Sequence, residues 1–421
     1  MSDAPPSPVP DFGHADSVIT IDIGAIVANW RYLDSLSGKH SETAAVVKAD
    51  AYGLGAGQIA PALADAGCRT FFVMSLAEAL ALHGALHGAP RGPLSDSGPP
   101  ESRRPQSRIF ALGGCHAGQE ADFIEAGIMP VINSLDQLGR WRDATTEERT
   151  APGAALHLDT GMTRLGLDPD ETAWLLRETE EEDATLSGPL AGPLAGPLAG
   201  MNIQLLMSHL SAGEDLADAA NDRQLASFDR LRSALPGLPA SLANSGGTLR
   251  SGDFHIALNR PGIALYGLHP AGLDTTGNQA EQAANLHPAV TWQARILQRR
   301  EARAGDRVGY NGTHRLTRDS RIVTLGVGYA DGYPRSLGNR AMVSLAGMPA
   351  PVIGRVSMDS ITVDVTDLEE ARLANVTHAE ILGDGYTLAR MAGDAGTIGY
   401  EILTQLGHRP ARRYINPRNR S

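Results

Sequence analysis

Cysteine is scarce in this sequence, since its 421 residues include two, Cys68 and Cys115. Two cysteines cannot form a disulfide framework, and these two lack the spacing of metal ligands, so their use is typical of a reducing compartment. No apolar run is long enough to span a bilayer. Residues 1–16 are rich in proline and lack the basic and apolar regions of a secretory signal. We therefore expect a cytoplasmic protein that has no membrane partner.

Excess positive charge is also absent, because 36 lysines and arginines stand against 48 aspartates and glutamates, for a formal net charge of -12. Proteins that bind nucleic acid without sequence preference need a clustered basic face. The composition therefore argues against that class of function. The length exceeds the usual size of one domain, so two domains and a large core are expected.

Short apolar runs alternate with helix-period segments over the first two thirds of the chain. This alternation is typical of repeated βα units and predicts a parallel sheet. Helices are predicted at Ala56–Ala66, Leu76–His87, 117–126 and 216–235. Because eight apolar runs can be counted, we predict an α/β fold with a closed (β/α)8 barrel of the TIM type. The predicted strands lie near residues 44–48, 70–74, 108–112, 128–132, 154–158, 204–209, 240–243 and 262–265.

Beyond about His287 the pattern changes to short β-branched runs separated by Gly-rich turns, which predicts a second, mostly β domain. We therefore predict a disordered N-terminal segment at 1–16, a barrel domain at 17–273 and a β-rich C-terminal domain at 274–421 that begins with a linker. Two stretches interrupt the barrel pattern, near 88–106 and 187–200. Their content of proline and glycine predicts solvated surface loops.

Lys48 is the first candidate for chemistry, because an apolar run leads directly into it and a Gly-rich turn follows. A lysine at the end of a buried strand is desolvated, which lowers its pKa and frees the amine to form a Schiff base. The alternative interpretation is a solvated lysine at a strand end, which describes most lysines in such positions.

Eight segments spread over the chain resemble, in this order, the motifs of the alanine racemase family. The resemblance implies a barrel domain and a β domain, a pyridoxal 5′-phosphate (PLP) cofactor, and L-alanine and D-alanine as substrates. It also implies a homodimer with composite active sites, and a role of D-alanine in peptidoglycan. The segments are 20–30 (TIDIGAIVANW), 44–55 (AAVVKADAYGLG), 159–166 (DTGMTRLG), 244–246 (NSG), 260–267 (RPGIALYG), 328–335 (GYADGYPR), 355–359 (RVSMD) and 399–402 (GYEI).

The resemblance implies a two-base mechanism. Lys48 would hold PLP as an aldimine and act as the base on one face of the substrate α carbon, and Tyr310 from the partner subunit would act on the other face. Arg260 would face the pyridine nitrogen and, being always protonated, leave that nitrogen unprotonated. His209 would bond to Arg260. Arg164 would contact the cofactor ring oxygen and hold the substrate carboxylate.

The resemblance also implies which residues bind the phosphate. Ser245 and the backbone N–H groups of Gly262 and Ile263 match the phosphate-binding positions, and Tyr52 and Tyr400 would add hydroxyl donors. From the sequence alone, Ser245 could equally belong to a helix N-cap.

On the β domain, the resemblance implies that the backbone N–H of Met358 meets the substrate carboxylate. Tyr329 and Tyr333 match aromatic positions that narrow the entrance, which would favour small substrates. One position departs from the family pattern: many members have a carbamylated lysine seven residues before Arg164, where this chain has His157. A bound anion such as chloride is our hypothesis for what orients Arg164 instead.

Other interpretations remain open at this point. Residues 55–60 (GAGQIA) fit a dinucleotide fingerprint, although no acidic residue ends the next predicted strand, as contact with a ribose would require. His83 and His87 share a helix face, but they lack the carboxylate of a zinc protease, and no metal site is expected. Within the PLP barrel enzymes, an amino-acid decarboxylase or a broader amino-acid racemase is the alternative, and a single-domain PLP carrier is the non-enzymatic one.

Overall fold

A computed structural model describes residues 11–87, 107–145, 151–183, 196–215, 217–250, 252–273, 275 and 277–416. The strands of these residues are β1 Ser17–Asp22, β2 Glu42–Thr43, β3 Ala45–Val46, β4 Thr70–Val73, β5 Arg108–Ala111, β6 Met129–Ile132, β7 Ala154–His157, β8 Ile203–Met207, β9 Ala240–Ser241, β10 Leu258–Asn259, β11 Val290–Ala302, β12 Arg307–Val308, β13 His314–Arg315, β14 Ser320–Leu325, β15 Met342–Leu345, β16 Met348–Ile353, β17 Ile361–Asp364, β18 His378–Leu382 and β19 Ala411–Ile415.

The first domain is a parallel barrel, as the sequence predicted. Strands β3 to β9 form a parallel sheet in chain order. Strand β10 closes it, because it pairs with β2 on one side while the N–H groups of Ala257 and Arg260 donate to Ala240 and Ala243 on the other. Most strand residues are buried on both faces, as expected when helices cover a parallel sheet.

The first helix, Ile23–Leu36, is amphipathic and capped. The side chain of Asp22 accepts from the N–H of Ala25 and caps the helix, and Ile26, Trp30 and Leu33 form a buried stripe. The helices of the described residues are Ile23–Leu36, Ala56–Ala66, Leu76–His87, Glu120–Glu125, Leu135–Thr145, Pro169–Asp183, Ala219–Ala234, Ser245–Arg250, Asn278–Ala284, Glu370–Leu373, Leu388–Ala395 and Gly399–Thr404. None of them is long and apolar enough to cross a membrane.

Seven of the eight predicted barrel strands are confirmed, and the eighth prediction is wrong. Residues 262–265 do not form a strand: Ile263–Tyr266 is a 3-10 helix, and the strand lies just before it at β10. A short, fully buried apolar run fits either structure. Here Pro261 offers no N–H for a ladder, and the N–H of Gly262 donates to the Ser245 hydroxyl instead.

The second domain is an antiparallel sheet that curls onto itself. Its strands follow the order β14-β17-β16-β15-β18-β11-β1-β19, and the long strand β11 also pairs with β14, which closes six of the strands into a ring. A separate hairpin of β12 and β13 projects from it. The prediction of a mostly β C-terminal domain is confirmed.

The predicted domain boundaries need one correction at the N-terminus. We assigned residues from 17 onward to the barrel, but β1 pairs with β11 and β19 in the sheet of the second domain. Residues 11–16, predicted to be disordered, also contact this domain: Phe12 is buried, with the guanidinium carbon of Arg295 4.5 Å from its ring centre. Residues 1–10 lie outside the described part of the chain.

The two predicted surface loops are described only in part. The stretch 88–106 and residues 187–195 lie outside the described residues. Residues 196–200 do not form a solvated loop, because Gly196–Leu198 is a 3-10 helix and Leu198 is fully buried. The predicted linker at 274–286 contains the helix Asn278–Ala284.

Candidate active site

One cavity of about 710 Å³ opens at the carboxyl ends of the barrel strands. Its volume lies within the roughly 300–1,000 Å³ typical of small-molecule sites, and this end of a barrel is where active sites are found. The structure brings nine of the predicted site residues into its wall: Lys48, Tyr52, Arg164, His209, Ser245, Arg260, Gly262, Ile263 and Tyr400.

Lys48 lies shortly after β3, at the start of a left-handed turn. The four residues that follow it, 49–52, all have left-handed backbone angles, with φ between 52° and 58°. This conformation costs a non-glycine residue about 1–2 kcal/mol. Other contacts must therefore hold the turn, and one comes from the second domain, where Arg412 donates to the carbonyl of Gly53 at 3.2 Å.

The Gly-rich run after this turn does not form a dinucleotide site. The N–H of Ala56, at the start of its helix, donates to the carboxylate of Asp50 at 2.7 Å. A dinucleotide would place its pyrophosphate at this helix N-terminus, where the negative charge of Asp50 lies. Gly55 serves packing instead, since a Cβ there would lie 2.1 Å from the hydroxyl of Tyr414.

The amine of Lys48 loses its proton more readily than that of an ordinary lysine. Burial lowers its pKa, the positive charge of Arg164 lowers it further, and the carboxylate of Glu78 acts in the opposite direction. Because the unprotonated amine is the nucleophile and the base, a lowered pKa increases the reactive fraction near neutral pH.

Arg260 is a buried cation, 3% exposed, just after β10. Its guanidinium donates to the hydroxyl of Ser241 and, at 2.5 Å, to the carbonyl of Ser208, and its carbon lies 5.9 Å from the ring centre of Phe72. Burial lowers the pKa of Arg260 to about 9. The group is therefore still protonated at neutral pH and supplies a fixed positive charge and fixed hydrogen-bond donors.

His209 lies two residues after β8, with Nδ1 3.5 Å from Nη2 of Arg260. Since a guanidinium can only donate, His209 Nδ1 accepts and Nε2 carries the ring proton. Burial and then the charge of Arg260 hold the pKa of His209 well below its usual value. The structure brings these two side chains together as expected, with a neutral imidazole beside the cation.

Hydrogen-bond donors gather where β9 and β10 end. The hydroxyl oxygen of Ser245 accepts from the N–H of Gly262 at 2.8 Å and from the N–H of Ala264 at 3.3 Å. A Cβ at Gly262 would lie 2.2 Å from the hydroxyl oxygen of Tyr52. Glycine therefore lets the hydroxyl approach the backbone. The ring of Tyr400 lies 6.0 Å from that of Tyr52, so both predicted hydroxyl donors reach this region.

This set of residues fits PLP. The cradle formed by Ser245, Gly262 and Tyr52 combines hydroxyl and backbone donors and excludes a side chain at Gly262, as a phosphate site requires. Lys48 offers an amine for an aldehyde, and Arg260 offers a cation and donor for a ring nitrogen. The cavity is also large enough for a cofactor together with a small substrate.

His157 is the last residue of β7. The amide of Asn133 donates to the carbonyls of Leu112 and Val131 at 3.0 and 2.9 Å, so its oxygen is left to face Nδ1 of His157 at 2.8 Å. His157 therefore carries its proton on Nδ1. Burial is the main reason why its pKa falls to about 4, so the ring is neutral at pH 7. His157 does not supply the negative charge of a carbamylated lysine, and the anion beside Arg164 stays a prediction.

Three predicted site residues lie in the β domain and do not line this cavity. Tyr310 is in the loop of the β12–β13 hairpin and is 69% exposed, Met358 is 52% exposed, and Tyr329 is 43% exposed. The structure therefore does not bring the predicted second base to Lys48 within one chain.

An ion pair between a buried carboxylate and an exposed guanidinium holds part of this exposed face. The carboxylate of Asp331, 3% exposed, accepts from the guanidinium of Arg409 at 2.6 and 2.7 Å. The N–H of Ala330 donates to the carbonyl of Met358 at 3.0 Å, which joins the two segments that carry Tyr329 and Met358. The loop positions are thus fixed by contacts with the interior of the domain.

The prediction for Tyr333 is wrong. Its side chain is 1% exposed and packs against Trp292, with ring centroids 6.1 Å apart, so it belongs to the core of the β domain and does not narrow an entrance. The sequence could not distinguish Tyr333 from Tyr329, because both lie in the segment 328–335 (GYADGYPR). The structure shows that the chain turns at Gly332, where φ is +95°, so that the two rings face different ways.

Four residues that shape these sites were not predicted: Glu78, Asn133, Ser241 and Asp331. Asn133 directly follows β6 and Ser241 ends β9, so a search for polar residues at strand ends would have found both. Glu78 and Asp331 act from neighbouring segments, and the sequence carries no signal for them.

The described residues contain no group of three His, Cys, Asp or Glu side chains that could hold a metal ion. The rings of His83 and His87 lie 4.7 Å apart on their helix.

Comparisons with known proteins agree with this fold. The model of "Alanine racemase, N-terminal domain" matches residues 21–270, and the model of "Alanine racemase, C-terminal domain" matches residues 289–414. An alanine racemase of Acidiphilium cryptum is 44% identical over 393 residues, which cover 93% of this chain and 96% of that protein. An alanine racemase of Brucella canis is 41% identical over 406 residues, which cover 95% and 94%.

A solved structure is similar over the same extent. The crystal structure of alanine racemase from Bartonella henselae, which has covalently bound pyridoxal phosphate, shares 38% sequence identity and superposes with a TM-score of 0.81. The match covers 95% of this chain and 100% of that one, so it includes both domains.

Proposed function

The chain belongs to the alanine racemase family of PLP-dependent enzymes, and on that premise we propose that it interconverts L-alanine and D-alanine by moving the α proton between two bases. The observation that carries the proposal is the meeting of two different cations in one cavity. Lys48 has a lowered pKa and can lose its proton, whereas Arg260 stays charged.

PLP, when bound, delocalises the electron pair that an amino acid retains after loss of its α proton. Lys48 would hold the cofactor covalently and then accept or return a proton on one face of the α carbon. Its lowered pKa supports both roles, because each requires the unprotonated amine.

Arg260 would donate to the pyridine nitrogen and thereby keep it unprotonated. Its contacts with Ser241 and Ser208 and its burial support this role, because they leave the guanidinium no freedom to turn away. An unprotonated ring nitrogen withdraws electrons less strongly, which suits reversible proton transfer and limits side reactions. His209 would help to hold Arg260 from the side of β8.

Arg164 would bind the substrate carboxylate at the mouth of the cavity, where its side chain is exposed. A guanidinium suits this task because its parallel donors match the two oxygens of a carboxylate. The backbone N–H of Met358 would add a further donor from a second subunit. Tyr329 would limit the space for the substrate side chain and so favour alanine.

Tyr310 would be the second base, supplied by a second copy of the chain. Its 69% exposure and its absence from the wall of the Lys48 cavity support this arrangement, since a base must lie close to the proton that it moves. Met358 and Tyr329 are exposed as well. We therefore propose a homodimer in which each active site combines the barrel of one subunit with the β domain of the other.

Two other PLP proteins with a barrel are less well supported. A decarboxylase gains from a protonated ring nitrogen, which the cation Arg260 would oppose. A single-domain PLP carrier would not need a β domain with exposed Tyr310 and Met358. Within a cell, D-alanine for peptidoglycan is the product that we propose, made in the cytoplasm.

The test is to load the purified chain with PLP and to follow both D-alanine formation from L-alanine and deuterium uptake at the α carbon in D2O. The parent should form D-alanine with uptake of deuterium. Lys48→Ala should lose the absorbance band of lysine-bound PLP, and its rate should fall by more than about a thousandfold. Lys39→Ala should keep the band and the parental rate. A band that survives Lys48→Ala, or a parent without exchange at the α carbon, would refute the proposal.

A further inference from the structure

Glu78 connects the turn after Lys48 to the neighbouring barrel strand. Its Oε1 accepts from the N–H of Ala49 at 2.8 Å, and its Oε2 accepts from the N–H of Met74 at 2.6 Å. Ala49 directly follows Lys48, and Met74 directly follows β4. One carboxylate therefore connects the residue after Lys48 with the end of the adjacent strand β4.

Ala49 is also where the backbone changes hand. Its φ of 52° and ψ of 46° begin the left-handed turn 49–52. The last ladder contact before it is the N–H of Val47, which donates to the carbonyl of Phe72 at 2.9 Å. The bond to Glu78 is thus the next external contact along the chain, and it stabilises the first residue of a strained turn.

The same carboxylate acts electrostatically on Lys48. It raises the pKa of the amine, against the larger effect of burial and the effect of Arg164. Burial raises the pKa of the two tyrosines of the wall, Tyr52 and Tyr400, so they add no charge. The other titratable or charged side chains on the wall are Arg164, His209, Glu214, Arg260 and Glu401.

We propose that Glu78 is a positioning residue for Lys48: it fixes the path by which the chain leaves the strand, and it places one negative charge near the amine. The inference rests on the proposed function, in which Lys48 carries the cofactor. A reacting amine held by a turn without glycine at its first four positions needs such a support, since a displacement of about 1 Å can cost a hundredfold in rate.

The test is simple because the whole sequence contains two lysines, Lys39 and Lys48, so the amine of Lys48 can be studied alone. In the Lys39→Arg background, Lys48 is the sole lysine of the full chain. After removal of the cofactor, trace labelling with acetic anhydride across a pH series, followed by peptide mass spectrometry, gives the apparent pKa of its amine. Glu78→Gln should lower that pKa, because an opposite charge is removed.

Glu171 provides a matched control. It too lies in the first turn of a helix, and its two oxygens accept from the N–H groups of Leu135 at 3.0 Å and Asp168 at 3.2 Å. It does not act on Lys48. Glu171→Gln should therefore disturb the fold as much as Glu78→Gln but leave the pKa of Lys48 unchanged. An equal pKa in the two folded variants would overturn the inference.

Glu78→Asp separates the two roles, because it keeps the charge and shortens the reach to Ala49. The pKa of Lys48 should stay close to that of the parent, while kcat should fall roughly tenfold. If Glu78→Gln fails to fold, this variant decides alone: a parental kcat would overturn the inference. The labelling pKa of Lys48 does not depend on the cofactor test with Lys48→Ala, so failure of the proposed function would be seen separately.

Discussion

The wall of the barrel cavity and the exposed face of the β domain are built in opposite ways. In the cavity, Arg260 and His209 contact each other and are held by neighbouring groups of the same chain. On the β domain, Tyr310 and Met358 are more than half exposed and contact nothing in that cavity. The cavity residues are thus held by contacts within the chain, whereas these residues of the β domain are exposed.

In the proposed homodimer, this difference would let one chain carry two halves of a site that do not meet within it. Burial lowers the pKa values of Lys48, His209 and Arg260 in the cavity, and such displaced pKa values are typical of functional sites. The backbone that carries Tyr329 and Met358 is positioned by Asp331, which accepts from the N–H of Gly328, and by Arg409, which donates to the carbonyl of Met358. A second subunit would bury the outward face and complete the cavity at the same time.

Among the changes that test this difference between the two regions, loss of the exposed hydroxyl of Tyr310 should have the largest effect on the rate of racemisation. In Tyr310→Phe, one of the two proposed bases is missing, so racemisation should fall by at least about a thousandfold. Because the two enantiomers are equally stable, kcat/KM must fall equally in both directions. The asymmetry should appear in D2O, where one enantiomer still exchanges its α proton through Lys48 and the other does not.

Nuclear magnetic resonance of each alanine enantiomer measures that exchange. Tyr32→Phe, in the helix Ile23–Leu36, is the control and should behave as the parent. Small and equal losses of exchange for both enantiomers would mean that Tyr310 is not a base.

Mixed dimers should test directly whether the two regions act in different chains. Lys48→Ala and Tyr310→Phe should each be nearly inactive, but co-expression should restore activity. In a random mixture half of the dimers are hybrids, and each hybrid has one site with both residues intact, so about a quarter of the parental activity is expected. Recovery at this level, measured as D-alanine formation at equal total protein, supports the composite site.

The contrary result is equally informative. If the mixed preparation stays inactive although mass spectrometry shows hybrid dimers, then Lys48 and Tyr310 must act within the same subunit.

How much the sequence could reveal differs between the same two regions. Alternating apolar and helical segments predicted the barrel, and an apolar run that ends in Lys48 predicted the position of the amine, because both depend on local patterns. The eighth strand was misplaced at 262–265, since a buried apolar run fits a strand and a 3-10 helix equally well. The assignment of β1 to the barrel failed because its partners, β11 and β19, lie hundreds of residues later.

Site residues show the same division. His209 ends its predicted strand and could be expected at the barrel mouth from position alone. Arg260 precedes the strand that was predicted at 262–265, so only resemblance to a family suggested its role. Tyr310 lies in a Gly-rich loop whose spacing has no chemical signature, and only resemblance to a family suggested it. Glu78 was missed because its action requires a bond to Ala49, which becomes apparent only when the fold brings the two strands together.

Acid should destabilise the region around the cavity through His157. Its folded pKa of about 4 lies below the ordinary value of 6.5, so between these values the unfolded chain binds a proton that the folded chain excludes. The free energy of unfolding should therefore decrease as pH falls from 6.5 to 4. The full difference corresponds to about 3 kcal/mol.

Urea unfolding at pH 7 and pH 4 measures this effect. His157→Gln should weaken the pH dependence by up to about 3 kcal/mol, whereas a variant of an exposed histidine, His408→Gln, should keep the parental dependence. If His157→Gln has the slope of the parent, then the ring is not buried in its neutral form.

The smallest expected effect concerns the edge where the two regions would meet. Arg164 forms no hydrogen bond or ion pair with another residue of the described part of the chain, and neutral His157 gives it no counter-charge. A small anion beside its guanidinium would orient it toward a substrate carboxylate. Replacing chloride by gluconate should then raise KM for alanine about twofold to threefold, with little change in kcat. The effect is small because the orientation of an exposed cation is worth less than about 1 kcal/mol.

A crystal soaked in bromide should show anomalous density beside Arg164. If KM does not depend on the anion and the anomalous map is empty at this position, then Arg164 is oriented by the protein alone.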